Sequence, residues 1–305
     1  RRGTLHRFAP EERDAVIGYL GEVLHAVRGT EAAKPVAEVA GRICLAALHL
    51  GEVYQASIRL YEESLLGPDA QKFVVETERG KLVGLLEFPG PGGPYPVVLM
   101  LHGSASTKEG LFEEARRYLK RGMATLCVDL PGFGETTVMS TATRQDALVL
   151  KEMITSILAH ERVDPLGVGI AGWSFGPWVG TMVAAFDERV RALVSISGVF
   201  NPGDPRPGNL GVPEEVWRAS MYARWKAGKR PTPEPMTWAA DTNVFDVAHQ
   251  ITCPVLLAYG ALEGERFREQ AEELAKVVPS AVARPWRSGV HVLPNVPEAL
   301  EDAAE

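Results

Sequence analysis

With 305 residues, 46% of them hydrophobic and 23% charged, the chain can bury one large core or a large core with a smaller unit attached. A net charge of -7 argues against a nucleic-acid binder, which needs a basic face. No run of like charge forms a membrane-surface patch, and no apolar stretch is long enough to span a bilayer.

The first seventy residues (1–70) read as a helical unit of their own. Apolar positions recur at Val16, Leu20, Val23, Leu24 and Val27 up to Gly29, and again from Val36 through Ile43 and Leu50 toward Gly67-Pro68. The texture changes after residue 70. Phe73–Thr77 and Leu82–Leu86 flank Glu78-Arg79-Gly80 and predict a hairpin, followed by a Gly- and Pro-rich loop from Pro89 to Pro96. Short apolar runs then alternate with helical segments: Val97–Leu101, Ala124–Asp129, Gly167–Ala171, Ala192–Ile196, Val255–Tyr259 and Val282–Pro285. That rhythm predicts an α/β fold, a mostly parallel sheet with helices on both faces, over 71–305. The stretch 201–243, rich in Pro, Gly, Trp and Arg, interrupts the rhythm and reads as an inserted cap. Trp217, Tyr222, Trp225 and Trp238 within it offer either aromatic walls for a substrate or packing between cap and core.

Gly172-Trp173-Ser174-Phe175-Gly176 follows a strand-like run and precedes a helix-forming run through Phe186. Strand, Gly-x-Ser-x-Gly, helix is the context of a nucleophile elbow, in which a sharp turn exposes the serine. Ser174 is therefore the candidate nucleophile. Gly167, Gly169 and Gly172 also spell a dinucleotide fingerprint, but they fall inside the strand instead of the turn after it, so nucleotide binding is discounted.

A serine nucleophile needs a base. Of the seven histidines, His291 has the right position, after the last strand and before the final helix. The orienting carboxylate should lie between them in the chain, just beyond a strand. Glu263 stands three residues after Gly260 and is the first candidate, with Glu265 as the alternative. An oxyanion hole needs two backbone N–H groups. Phe175 follows the nucleophile, and Ser104 lies in the turn His102-Gly103-Ser104 after the first parallel strand. Asp129-Leu130-Pro131-Gly132-Phe133-Gly134-Glu135 reads as a structural turn whose rim could face substrate. Cys44, Cys127 and Cys253, far apart and each in an apolar run, suit buried thiols in a reducing compartment better than a disulfide or a zinc site. Without a basic-then-apolar opening, the chain is expected to be cytoplasmic.

Together His102-Gly103, the Lys108-Glu109 pair, Asp129-x-Pro131-Gly132-x-Gly134-Glu135 and the Ser174 pentapeptide resemble one branch of the α/β-hydrolase superfamily. That branch includes the fermentation-respiration switch protein FrsA, the 2,6-dihydroxypseudooxynicotine hydrolases and fungal pigment hydrolases. The resemblance covers the chain from about residue 70. It implies the α/β-hydrolase fold with a helical N-terminal extension, no metal or organic cofactor, and hydrolysis of esters or of carbon–carbon bonds in β-diketone-like side chains. Two departures stand out: Glu263 where Asp is usual, and Pro177 where a second Gly is common. Pro is tolerated in a first helical turn. The expected partner is a small-molecule substrate, with no nucleic acid and no membrane, and a helical N-terminal arm leaves a homodimer open. An acyltransferase and a non-catalytic binding protein remain as alternatives. Haloalkane and epoxide chemistry are disfavoured, because their nucleophile is Asp.

Overall fold

The computed structural model of the chain describes residues 70–104, 106–138, 143–202, 240–294 and 296–305. Apart from boundary residues, the N-terminal unit expected at 1–70 and the cap expected at 201–243, with its four named aromatics, lie outside the described residues.

The predicted hairpin is β1 (Gln71–Thr77) and β2 (Gly80–Glu87), paired antiparallel with Thr77 opposite Gly80. Its two-residue turn is held by Thr77, whose hydroxyl donates to the Gly80 carbonyl (2.7 Å) and accepts the Arg79 N–H (3.1 Å). Next, β3 (Tyr95–Leu101) starts two residues before the predicted run, because the Tyr95 N–H donates to the Arg162 carbonyl at 2.8 Å. A 3-10 turn at Lys108–Leu111 leads into α1 (Phe112–Leu119) and β4 (Ala124–Val128). Two short helices, α2 (Arg144–Leu148) and α3 (Leu150–Leu158), precede β5 (Val163–Trp173). The sequence places only Gly167–Ala171 in this strand. Pro165 and Gly167, at φ 142, disguise its first half, where Val163 already pairs with Tyr95. After β5 come α4 (Gly176–Phe186) and β6 (Val190–Ile196), then β7 (Val255–Gly260), α5 (Glu265–Val277), β8 (Ala281–Trp286) and α6 (Pro297–Ala304).

These strands form one eight-stranded sheet in the order β1-β2-β4-β3-β5-β6-β7-β8. Only β1 and β2 run antiparallel to their neighbours; the other ladders are parallel. The alternation of side chains along a strand sorts the core into two layers. Val97, Leu99 and Leu101 of β3 face a layer with Ile154 of α3, Trp178 and Met182 of α4, and Leu274 of α5. Val98 and Met100 face the other, with Ala115 and Tyr118 of α1 and Leu300 of α6. Burial on both faces explains why the parallel strands read as continuous apolar runs. Truncating a fully buried residue such as Leu99 to Ala should remove about 2–5 kcal/mol of stability.

Because β3 to β8 run the same way, the loops after their carboxyl ends gather along one edge of the sheet. Ser104, Ser174, Glu263 and His291 all lie just beyond such ends, as do Asp129 and Ser197.

Candidate active site

Ser174 occupies the turn between β5 and α4 with φ 59, a left-handed conformation that a side-chain-bearing residue seldom adopts. Its N–H donates to the Ile196 carbonyl (2.9 Å) and its carbonyl accepts from Val199 (3.2 Å), so β6 and the loop after it hold the turn on both sides. The turn also needs Gly176: a Cβ there would stand 2.1 Å from the Leu101 carbonyl oxygen. Pro177, which departs from the usual motif, sits in the first turn of α4, where its missing N–H has no intrahelical partner to lose.

The loops after β7 and β8 bring the predicted acid and base to this serine. His291 Nε2 lies 2.8 Å from Ser174 Oγ, and His291 Nδ1 lies 3.0 Å from Glu263 Oε2. The second carboxylate oxygen of Glu263, Oε1, accepts the Ser197 hydroxyl (2.6 Å) and the Gly260 N–H (2.5 Å). With Oε2 acting as acceptor, His291 carries its hydrogen on Nδ1 and turns the Nε2 lone pair toward Ser174. Glu263 is fully buried, whereas the His291 side chain keeps 12% of its surface. Glu265, the alternative acid, opens α5 as an exposed residue and is not among the partners of His291. The two loops run against one another as an extension of the β7–β8 pairing, with Ala261 N–H to Trp286 O (2.9 Å) and Leu262 N–H to Gly289 O (3.1 Å). Gly260 permits that approach, since a Cβ on it would stand 2.2 Å from the Gly289 oxygen. On its other side the His291 ring meets Phe267 at 4.7 Å between centroids.

The turn after β3 lies against the same serine: a Cβ on Gly103 would be 3.0 Å from Ser174 Cβ. Of the two residues expected to supply oxyanion N–H groups, Ser104 is buried and Phe175, next to the serine, is partly buried. His102, in that turn, is not a catalytic base. Its Nδ1 lies 2.7 Å from the Gly103 carbonyl, which can only accept, and its Nε2 accepts the Leu130 N–H at 3.1 Å. Those two bonds require the neutral Nδ1–H tautomer, so the 4.0 Å contact with Asp129 is not an ion pair. The buried imidazole instead ties the turn after β3 to the turn after β4.

The family model of the alpha/beta hydrolase family matches residues 98–299, about two thirds of the chain. The chain belongs to the alpha/beta hydrolase family. It is 27% identical over 205 residues to the 2,6-dihydropseudooxynicotine hydrolase of Paenarthrobacter nicotinovorans, which covers 67% of this chain and 54% of that protein. The chain thus spans about half the length of that curated relative. Among solved structures, a 2,6-dihydroxy-pseudo-oxynicotine hydrolase superposes with a TM-score of 0.69 at 22% identity, covering 99% of this chain and 88% of the other. The Bacillus subtilis carboxylesterase CesB superposes with a TM-score of 0.58 at 20% identity, covering 83% and 96%. These likenesses show the shared fold.

Two groups of residues in this alpha/beta hydrolase make contacts that the sequence does not foretell, although Lys108-Glu109 and the Asp129–Glu135 turn carry part of the family resemblance. One is Ser197, fully buried at φ 54, whose hydroxyl donates to Glu263 and accepts the Val292 N–H at 2.9 Å. Its only sequence signal is a Ser-Gly pair at the end of a predicted strand. The other is a charge cluster around Lys108, a fully buried lysine. Its Nζ reaches Glu109 Oε1 (2.5 Å), Asp129 Oδ2 (2.9 Å) and Glu135 Oε2 (2.9 Å). Asp129 also accepts the backbone N–H groups of Lys108 (2.9 Å) and Glu135 (2.8 Å), so it clamps the two turns together. Burial, and after it the charge of Asp129, push the Glu109 carboxyl above its ordinary range, against the pull of Lys108. Among the described residues no group of His, Cys, Asp and Glu is arranged to hold a metal ion, and no helix is long and apolar enough to cross a membrane.

Proposed function

We propose that the chain is a serine hydrolase that cleaves a carboxylic ester through an acyl-enzyme on Ser174. The observation that carries this reading is the continuous hydrogen-bond chain from Glu263 through His291 to Ser174, with Ser174 strained at φ 59. As Ser174 Oγ attacks the carbonyl carbon, its proton passes to His291 Nε2, and Glu263 stabilises the imidazolium without taking the proton. The N–H groups of Phe175 and Ser104 would receive the oxyanion. The tetrahedral intermediate collapses, the C–O bond breaks, and the leaving alkoxide takes the proton from Nε2. A water molecule then repeats the sequence on the acyl-enzyme, with His291 again as base and then acid, and frees the carboxylic acid.

A second reading keeps the same residues and cleaves a carbon–carbon bond next to a ketone. What favours it is the match to the 2,6-dihydropseudooxynicotine hydrolase over 67% of the chain, together with the branch to which the motifs point. In both readings the substrate is a small or medium carbonyl compound taken up by a cytoplasmic enzyme that needs no cofactor.

Hydrolysis of p-nitrophenyl acetate and butyrate by the wild type and Ser174→Ala tests the proposal. Wild-type turnover that disappears in the variant supports it. An absence of turnover combined with no labelling by a fluorophosphonate probe sinks both readings. Labelling with poor ester turnover moves the weight to β-diketone substrates.

A further inference from the structure

Glu263 and His291 reach the site from two different loops, after β7 and after β8, and neither loop is a regular element. A hydrogen bond between two such loops is only as well aimed as the backbone on each side of it. The group that touches both sides is Ser197, which arrives from a third strand, β6.

The Ser197 hydroxyl has one hydrogen to give and lone pairs to receive. It gives its hydrogen to Glu263 Oε1 at 2.6 Å and receives the N–H of Val292, the residue after His291, at 2.9 Å. Ser197 is itself anchored to β7, its N–H donating to the Ala258 carbonyl at 2.8 Å. With Ser197 and Gly260 filling Oε1, the carboxylate is rotationally fixed and presents Oε2 to His291 Nδ1. On the other side, the bond to Val292 grips the chain at a strained point. Val292 and Leu293 stand at φ 59 and φ 54, two consecutive left-handed residues, the first β-branched. Such residues persist only where the surroundings over-determine them. Ser197 carries the same feature at φ 54.

We propose that Ser197 is a positioning residue that locks the acid loop to the base loop and so sets the aim of His291 on Ser174. This role rests on the reading of Ser174, His291 and Glu263 given above. It adds a fourth side chain, from a fourth strand end, to the machinery. It also accounts for how a Glu with its extra methylene can stand where Asp is usual: a longer side chain has one more torsion to hold, and the hydroxyl holds it.

The test uses the full chain as wild type, Ser197→Ala and Ser197→Gly. Both variants lose the hydroxyl, and glycine in addition favours the left-handed backbone, so a fold-level effect of alanine at φ 54 is separated from loss of the clamp. Loss of aim should lower kcat by about 10- to 100-fold in both variants, with KM for a p-nitrophenyl ester within about two-fold of wild type. In one-dimensional proton NMR, the downfield resonance of the His291 Nδ1–H, identified by its loss in His291→Ala, should broaden or vanish in both. A kcat within about two-fold of wild type in Ser197→Gly overturns the proposal. So does a kcat loss in which the downfield resonance persists unchanged. A wild type that neither turns over esters nor labels with a fluorophosphonate defeats the reading of Ser174 instead. The NMR comparison still decides the role of Ser197 in that case, because it needs no turnover.

Discussion

The Lys108–Asp129 cluster and the Glu263–His291–Ser174 chain both hang from turns at the carboxyl edge of one sheet, yet they use buried polarity in opposite ways. In the first, an ammonium sits among three carboxylates, and Asp129 spends its remaining capacity on backbone N–H groups of the turns it joins. The bonds return to the scaffold. In the second, a single carboxylate is saturated on one oxygen by Ser197 and Gly260, and everything left is passed outward through His291 to a partly buried hydroxyl. The difference separates a clamp from a relay. A network closed on itself holds loops in place, whereas one with an open end would, under the proposed serine-hydrolase reading, deliver a proton acceptor to the nucleophile.

If that division holds, substitutions in the relay should remove activity while leaving the fold, and substitutions in the clamp should do the reverse. The largest effect belongs to Ser174→Ala, which should lower ester turnover by about 10⁴-fold or more with an unchanged unfolding midpoint. Glu263→Gln should follow with a loss of about 10³- to 10⁴-fold, because an amide in place of the carboxylate disturbs the tautomer of His291. Glu265→Gln, made on the exposed residue, should stay within about two-fold of wild type. Parallel p-nitrophenyl ester kinetics on both glutamine variants check this pair of outcomes, and a crippled Glu265→Gln with an active Glu263→Gln reverses the assignment of the acid.

On the clamp side, Lys108→Met leaves Asp129 buried without its cation and should cost about 3–5 kcal/mol in urea unfolding. Activity per folded molecule should change far less than in any relay variant. If Lys108→Met unfolds at the wild-type midpoint, the cluster is no clamp.

The smallest effect concerns Glu109. Its carboxyl titrates above its ordinary value of 4.5 in the folded chain, so between 4.5 and that raised value the folded state holds a proton which the unfolded state has lost. Stability therefore falls as pH rises through that window. Glu109→Gln removes the penalty and keeps an acceptor for Lys108. It should raise Tm by a few degrees at neutral pH, and the gain should vanish below pH 4.5, as calorimetry at the two values can show.

Much of the relay was legible because each member carries a local signature. Ser174 lies in a spaced glycine motif, His291 follows the last strand, and Glu263 stands a fixed step past Gly260. The parallel strands were legible for the related reason that burial on both faces demands unbroken apolar runs. Where the strand rule met Pro165 and Gly167, it lost the first half of β5, because pairing with Tyr95 outweighs two residues that usually mark a loop. Ser197 left almost no trace, since it looks like a common serine, and Lys108 is visible only as a motif element whose burial the sequence does not show; partners far along the chain give both their place.

Composition, strand rhythm and motif spacing thus determined the fold class and marked Ser174 and His291 as the candidate nucleophile and base, since those depend on patterns read over a few neighbouring residues. Tertiary structure alone shows which of Glu263 and Glu265 meets His291. That choice turns on which carboxylate the β7–β8 loop contacts and the Ser197 hydroxyl draw into the interior, and on which one the start of α5 leaves in water. Two residues apart in sequence, they differ by full burial against exposure, and only the packing of distant strand ends could separate them.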